Sequence, residues 1–197
     1  MFFNFFLYIF AFENIKTNIM SIITFKISED KVKVAFDGRC LINNDQIETE
    51  SFIKAYKINN SIIIGATGIA DSVKMFKKFA EENVSEFEEL DNTLDGLSLM
   101  KEFKEFIIEE YNVSEDMFKD FGGFLIINKL YHGVFYFDDG MAPFVTKEYE
   151  DSGAFGSTGT YTKALMDAGI TMENAIKMSA KKYNSINDNV TTLEIEK

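Results

Sequence analysis

Ser21, directly after Met20, is the residue of this chain best placed to act as a nucleophile. If the chain begins at Met20 and that methionine is trimmed, Ser21 carries a hydroxyl and a free α-amine together. One residue then supplies nucleophile and base, the arrangement needed for acyl transfer without a separate histidine. An α-amine titrates near ~8, so a substantial part of it is neutral at cellular pH and accepts a proton. The simpler reading is an inert serine at the start of an edge hairpin. Around it the chemistry has few other sources. His132 and Cys40 are each the only residue of their type, which leaves no disulfide framework and no thiolate or histidine cluster for a metal. Catalysis, if present, rests on hydroxyls, carboxylates, lysines and backbone amides, with no cofactor and no metal.

Composition narrows the class. The chain has 197 residues, 46% hydrophobic content, 21 Phe and no Trp, which describes a globular protein with a sizeable core. A formal net charge of −12 excludes nucleic acid and an anionic membrane surface as main partners, because no basic stripe exists to neutralise phosphates. The Phe-rich run from Met1 to Phe12 is too short to span a bilayer, and it lacks the basic start and small-residue cleavage site of a signal peptide. Residues 1–20 are therefore read as an extension to a single domain at 21–197. A mis-assigned start upstream of Met20 is the favoured reading, ahead of a removable pro-segment or a tail that docks on a partner.

The elements that must position Ser21 follow from periodicity. Ile22 to Ile27 and Val32 to Phe36 form a hairpin around Ser28-Glu29-Asp30. Phe52 to Ile58 and Ser61 to Ala66 form another around Asn59-Asn60, a dipeptide suited to positive φ. A helix capped by Asp71 or Ser72 buries Val73, Phe76 and Phe79-Ala80, and a second buries Met100, Phe103, Ile107 and Tyr111. The acidic stretch from Glu81 to Asp95 between them is a solvated connection. Strands return at Phe124 to Asn128 and Leu130 to Phe137, with a turn at Asp138-Asp139-Gly140. Two further helices follow. One carries Tyr161, Ala164-Leu165 and Ala168 and closes at Gly169; the other is capped by Thr171 and carries Met172, Ala175-Ile176 and Ser179-Ala180. Val190 to Ile195 is the last strand. This order suits two stacked antiparallel sheets with helices on both outer faces.

Four motifs in this order narrow the reading: the opening hydroxyl residue with its hairpin, Ala35-Phe36-Asp37-Gly38, Gly68-Ile69-Ala70-Asp71, and Gly156-Ser157-Thr158-Gly159 opening a helix that ends at Ala168-Gly169. From Ser21 to the C-terminus the chain resembles the proteasome β-subunit family and, within it, the HslV-type peptidases and their phage-encoded relatives. The resemblance implies an α+β fold, the four-layer αββα sandwich of N-terminal nucleophile hydrolases. It also implies hydrolysis of peptide bonds by a threonine-type endopeptidase, with Ser21 where the family usually has threonine. Asp37 matches the aspartate that interacts with a lysine beside the nucleophile. Lys54 is the choice for that lysine, reached by a one-residue insertion and a shorter turn at Asn59-Asn60; Lys57 is the rival, and Lys33 is disfavoured because it shares Asp37's hairpin. Gly68 matches the glycine whose N–H stabilises the oxyanion, and Ser157 the serine near the N-terminal amine.

For Asp37 the plainer role is a turn residue, for Gly68 a strand-to-helix turn, for Ser157 a helix cap. Asn184 stands where many relatives have an aspartate, so the amine meets an amide without charge, and Asp188 replaces it only if the loop folds back. As partners the resemblance implies peptide or unfolded-protein substrate, a ring of like subunits and an ATP-dependent unfoldase, in the cytoplasm. Two alternatives stand beside the peptidase: a catalytically silent proteasome-like subunit acting in assembly, and an amidase for small amides on the same fold.

Overall fold

The computed structural model describes residues 18–19, 21–42, 46–137, 143–147 and 151–197. Residues 1–17, Met20 and the turn expected at Asp138-Asp139-Gly140 lie outside the described residues. After the two-residue β1 (Asn18–Ile19), β2 (Ile22–Ile27) and β3 (Lys31–Asp37) form the expected antiparallel hairpin, with Ile23 opposite Phe36 and Phe25 opposite Val34. Side chains alternate in facing along these strands, so Ile23, Phe25, Val32, Val34 and Phe36 line one buried face while Ile22 and Ala35 line the other.

β4 (Cys40–Ile42) and β5 (Gln46–Thr49) form a small hairpin with no clear periodicity in the sequence. β6 (Ala55–Lys57) and β7 (Ile63–Ala66) are shorter than expected. Their turn does not use positive φ at Asn59 or Asn60. Instead the Asn59 side-chain oxygen accepts from Ser61 N at 2.7 Å, so the amide closes the turn in place of a left-handed backbone.

β8 (Gly68–Ile69) runs straight into α1 (Ala70–Glu82), which starts before Asp71; Ile69 holds the cap position, and Ser72 Oγ donates back to Ile69 O at 2.6 Å. The acidic connection contains a short helix, α2 (Val84–Glu89), because Phe87 is fully buried beneath it. One phenylalanine among carboxylates was enough to anchor the turn. α3 (Thr93–Tyr111) begins at Asn92, whose side chain accepts from Leu94 N and Asp95 N.

β9 (Phe124–Ile127), β10 (His132–Phe137), β11 (Pro143–Lys147) and β12 (Ser152–Gly156) follow, the last two beyond what alternation indicated. α4 (Gly159–Asp167) buries Thr162 rather than the expected Ala164 and Ala168, which are exposed. Thr162 Oγ1 lies 2.8 Å from Ser179 Oγ of α5 (Met172–Lys182), so a hydroxyl pair joins the two helices where an apolar stripe was expected. β13 (Val190–Glu196) ends the chain.

Two main sheets result, all pairings antiparallel: β11-β10-β9-β7-β6 and β12-β2-β3-β13. Between them Ile23, Phe25, Val34 and Phe36 meet Ile63, Leu125, Ile127 and Val134. On the outer face of the five-stranded sheet, Ile64, Phe124, Ile126 and Phe135 pack on Phe76, Phe79 and Phe103 of α1 and α3. On the outer face of the other, Ile22, Ala35 and Ala154 pack on Met172 and Ile176 of α5. This is the four-layer αββα sandwich, an α+β fold. Among the described residues no helix is long and apolar enough to cross a membrane.

The Phe-rich composition has a specific destination. Phe103 lies 4.9 Å from Phe76, 5.3 Å from Phe79 and 5.3 Å from Phe124 between ring centroids, so one ring joins two helices to the sheet. We expect Phe103→Ala to cost about 3–5 kcal/mol of stability. Urea unfolding of the variant against the parent measures it.

Candidate functional site

The site is built where β2 starts, β3 ends and β12 turns into α4. At Asp37, the last residue of β3, the carboxylate is fully buried and carries four hydrogen bonds. Oδ1 accepts from Ile22 N at 2.9 Å and from Lys54 Nζ at 2.6 Å. Oδ2 accepts from Arg39 N at 3.0 Å and from Asn187 N at 3.3 Å. Asp37 is more than a turn residue.

Lys54, just before β6, is likewise fully buried. Burial pushes its ammonium below the usual lysine range, and the Asp37 carboxylate opposes that shift. The other two lysines point elsewhere. Lys57 Nζ donates to Glu194 O at 3.2 Å, and Lys33 pairs with Glu173 on the outer face.

Ser21 is pinned from both sides of its own peptide unit. Ile22 N–H is held by Asp37, and the Ser21 carbonyl accepts from Ser157 N at 2.9 Å. Ser157 Oγ lies 3.4 Å from that carbonyl and 3.4 Å from Ser185 Oγ. Ser157 is not the cap of α4; Thr158 holds that position without a side-chain cap bond. The Ser21 hydroxyl is fully buried and has no hydrogen-bond partner among the described residues. A buried, unpaired hydroxyl is costly unless something uses it.

Two glycines set the backbone here. Gly156 has φ +108°, and a Cβ on it would collide with the Ser21 carbonyl. Gly68 has φ +101°, and a Cβ there would strike the backbone of Gly122. Thr67, beside Gly68, ties that crossing together: Thr67 N donates to Gly123 O at 2.9 Å, and Gly122 N donates to Thr67 O at 3.1 Å. The Gly68–Ile69 strand is also the partner of β1, with Ile19 opposite Gly68 and Asn18 opposite Ile69.

Ser21, Asp37, Lys54 and Ser157 are thus joined through hydrogen bonds at one point. Gly68 reaches the same place through Thr67, which lies against Gly156. Asn184 is not brought in by its side chain; it is exposed, and its carbonyl receives Arg39 Nη1. Asp188 is exposed beside Lys177 and Lys181 of α5. What sequence reasoning missed is Asn187, buried within the same loop. Its only advance signal was an asparagine-rich stretch, Asn184 to Asn189, that resembles an ordinary turn. Among the described residues no group of three or more His, Cys, Asp or Glu could hold a metal ion.

The fold is similar to that of solved structures of HslV and BPH. The crystal structure of eukaryotic HslV from Trypanosoma brucei superposes with a TM-score of 0.64 at 18% identity, covering 89% of this chain and 99% of that one. BPH of Thiobacillus denitrificans gives 0.66 at 15% identity, covering 89% and 97%. The same protein in complex with epoxomicin gives 0.64 at 15%, covering 89% and 98%. No protein-family profile matches the sequence, and no curated protein matches it either. The likeness is one of proteasome-like fold, carried by nearly the full length of each neighbour.

Removing one member of a buried ion pair leaves the other charge without compensation. We expect Lys54→Met to lose about 3–5 kcal/mol of stability, and Lys54→Met combined with Asp37→Asn to recover much of it. A double-mutant cycle in urea reads the coupling; additive losses would show that the pair is not energetically joined.

Proposed function

We propose that this protein is a proteasome-like N-terminal nucleophile peptidase that hydrolyses peptide bonds, with Ser21 as nucleophile and its α-amine as base. The observation that carries the reading is the Asp37 carboxylate. It bonds the N–H of the residue after Ser21 and the buried Lys54 ammonium through the same oxygen. That arrangement brings a fixed positive charge to the start of the chain's working segment, where it favours a neutral amine and a developing alkoxide.

In the proposed cycle Ser21 Oγ attacks the scissile carbonyl carbon while its proton passes to the Ser21 amine. The Gly68 N–H stabilises the oxyanion, and the amine then gives the proton to the leaving amine. Water attacks the resulting ester, the amine again taking and returning a proton, and Ser21 is regenerated. Ser157 keeps the Ser21 carbonyl in place throughout. The cycle needs a free amine, so the bond between Met20 and Ser21 must be absent in the working enzyme. We infer one hydrolase domain over residues 21–197, assembled with like subunits into a cytoplasmic ring. An ATP-dependent unfoldase supplying unfolded chains fits the same reading.

A second reading is favoured by two features. β1 lies on the Gly68–Ile69 strand, and the Ser21 hydroxyl is buried. A chain that keeps residues 18–19 on that strand is a silent subunit acting in assembly. The two readings separate on turnover. Ser21→Ala in a chain starting at that position is expected to abolish peptide hydrolysis while leaving assembly size and melting temperature unchanged. Undiminished turnover in this variant refutes the assignment of Ser21. An inactive parent of normal assembly supports the silent subunit.

A further inference from the structure

Asp37 could not hold Ile22 and Lys54 at fixed geometry unless its own carboxylate plane were fixed. β3 ends at Asp37, and the chain turns at once through Gly38 and Arg39. What stops this turn is the loop between α5 and β13. Asn187 is almost fully buried, and its side-chain amide and backbone N–H are each matched to an opposite group. Its Oδ1 accepts from Gly38 N at 2.9 Å. Its backbone N donates to Asp37 Oδ2 at 3.3 Å. Its Nδ2 donates to Glu50 O at 2.9 Å and to the Glu50 carboxylate.

Glu50 is fixed in turn by Arg39, through Nε at 3.3 Å and Nη2 at 3.0 Å, and Asn189 Nδ2 donates to Glu50 O at 2.7 Å. The three segments approach so closely that a Cβ on Gly38 would collide with the Glu50 carbonyl. An amide is the side chain that this site requires. The acceptor end meets an N–H, and both donors meet oxygens, one of them charged. An aspartate would face Glu50 and Asp37 with a third carboxylate; an alanine would leave the Gly38 N–H and the Glu50 carbonyl to find other partners.

We propose that Asn187 is a positioning residue for the Ser21 centre: its side-chain amide locks the Asp37-Gly38 turn to Glu50, and through Asp37 it sets where Lys54 and the Ser21–Ile22 peptide stand. It touches no reacting atom. Its effect passes through the Asp37 carboxylate, and displacements of this kind change the chemical step more than substrate binding. The inference rests on the peptidase reading, and it explains why an uncharged loop residue is buried among Asp37, Arg39 and Glu50.

The test uses the full-length assembled protein beginning at Ser21. For Asn187→Asp we expect kcat for a peptide substrate to fall about 10- to 100-fold with KM within about twofold. In Asn187→Leu, which adds no charge, the titration of Lys54, followed by NMR at its ε-carbon, should move downward, since a displaced Asp37 carboxylate no longer opposes the effect of burial; Asp37, Cys40, Arg39 and Glu50 are the titratable and charged groups around it. Asn187→Asp combined with Glu50→Gln reverses the donor and acceptor between these two side chains and should restore kcat toward the parent. A purely structural role would lower the folded fraction and leave the Lys54 titration of the folded protein unmoved. That result, or a kcat equal to the parent's, overturns the inference. If the parent itself shows no Ser21-dependent turnover, the peptidase reading fails by itself. The Lys54 titration of Asn187→Leu then decides the inference: moved downward upholds Asn187's positioning of the centre, unmoved overturns it.

Discussion

The hydrogen bond between Lys54 Nζ and Asp37 Oδ1, 2.6 Å long and sealed from solvent, is the interaction on which the site depends. A charge pair in such a place pays for its desolvation only when the remaining lone pairs are used as well. Asp37 meets that condition with three backbone N–H groups, from Ile22, Arg39 and Asn187. These donors come from β2, the turn after β3, and the last loop of the chain. One carboxylate therefore ties together segments that are 150 residues apart.

The four layers serve that carboxylate by bringing its donors into register. β2 and β3 pair so that Ile23 stands opposite Phe36, which leaves Ile22 N beside Asp37. β12 pairs with β2 on the other side and delivers Gly156 and Ser157 to the Ser21 carbonyl. The five-stranded sheet supplies Lys54 at the edge of β6 and the Gly68 crossing after β7. The phenylalanines of α1, α3 and β9 sit away from this point and hold the sheet that carries it.

Much of this was legible in the residues, and the reasons differ by element. β2, β3 and the stripes of α1, α3 and α5 were readable because one face of each is continuously apolar. Lys54 was harder, since strand alternation around Ile53 and Lys54 depends on a register that only pairing with β7 fixes. α2 was hidden because Phe87 is its single buried side chain amid glutamates. The buried face of α4 was misread because Thr162 and Ser179 satisfy each other, and such a pair is invisible until two helices meet. Asn187 was unreadable for a similar reason. Its partners Gly38 and Glu50 are remote in sequence, and nothing in an asparagine-rich loop marks which amide turns inward.

The central claim is that one residue, Ser21, presents a hydroxyl and a free amine beside the Lys54–Asp37 pair. The most direct measurement is top-down mass spectrometry of the natural protein after exposure to a peptidic electrophile that needs both groups of a single residue. The account predicts a chain beginning at Ser21, with one reagent joined through the Ser21 nitrogen and Oγ. A chain that begins at Ser21 and stays unmodified, or one that still carries residues ahead of it, would contradict the account.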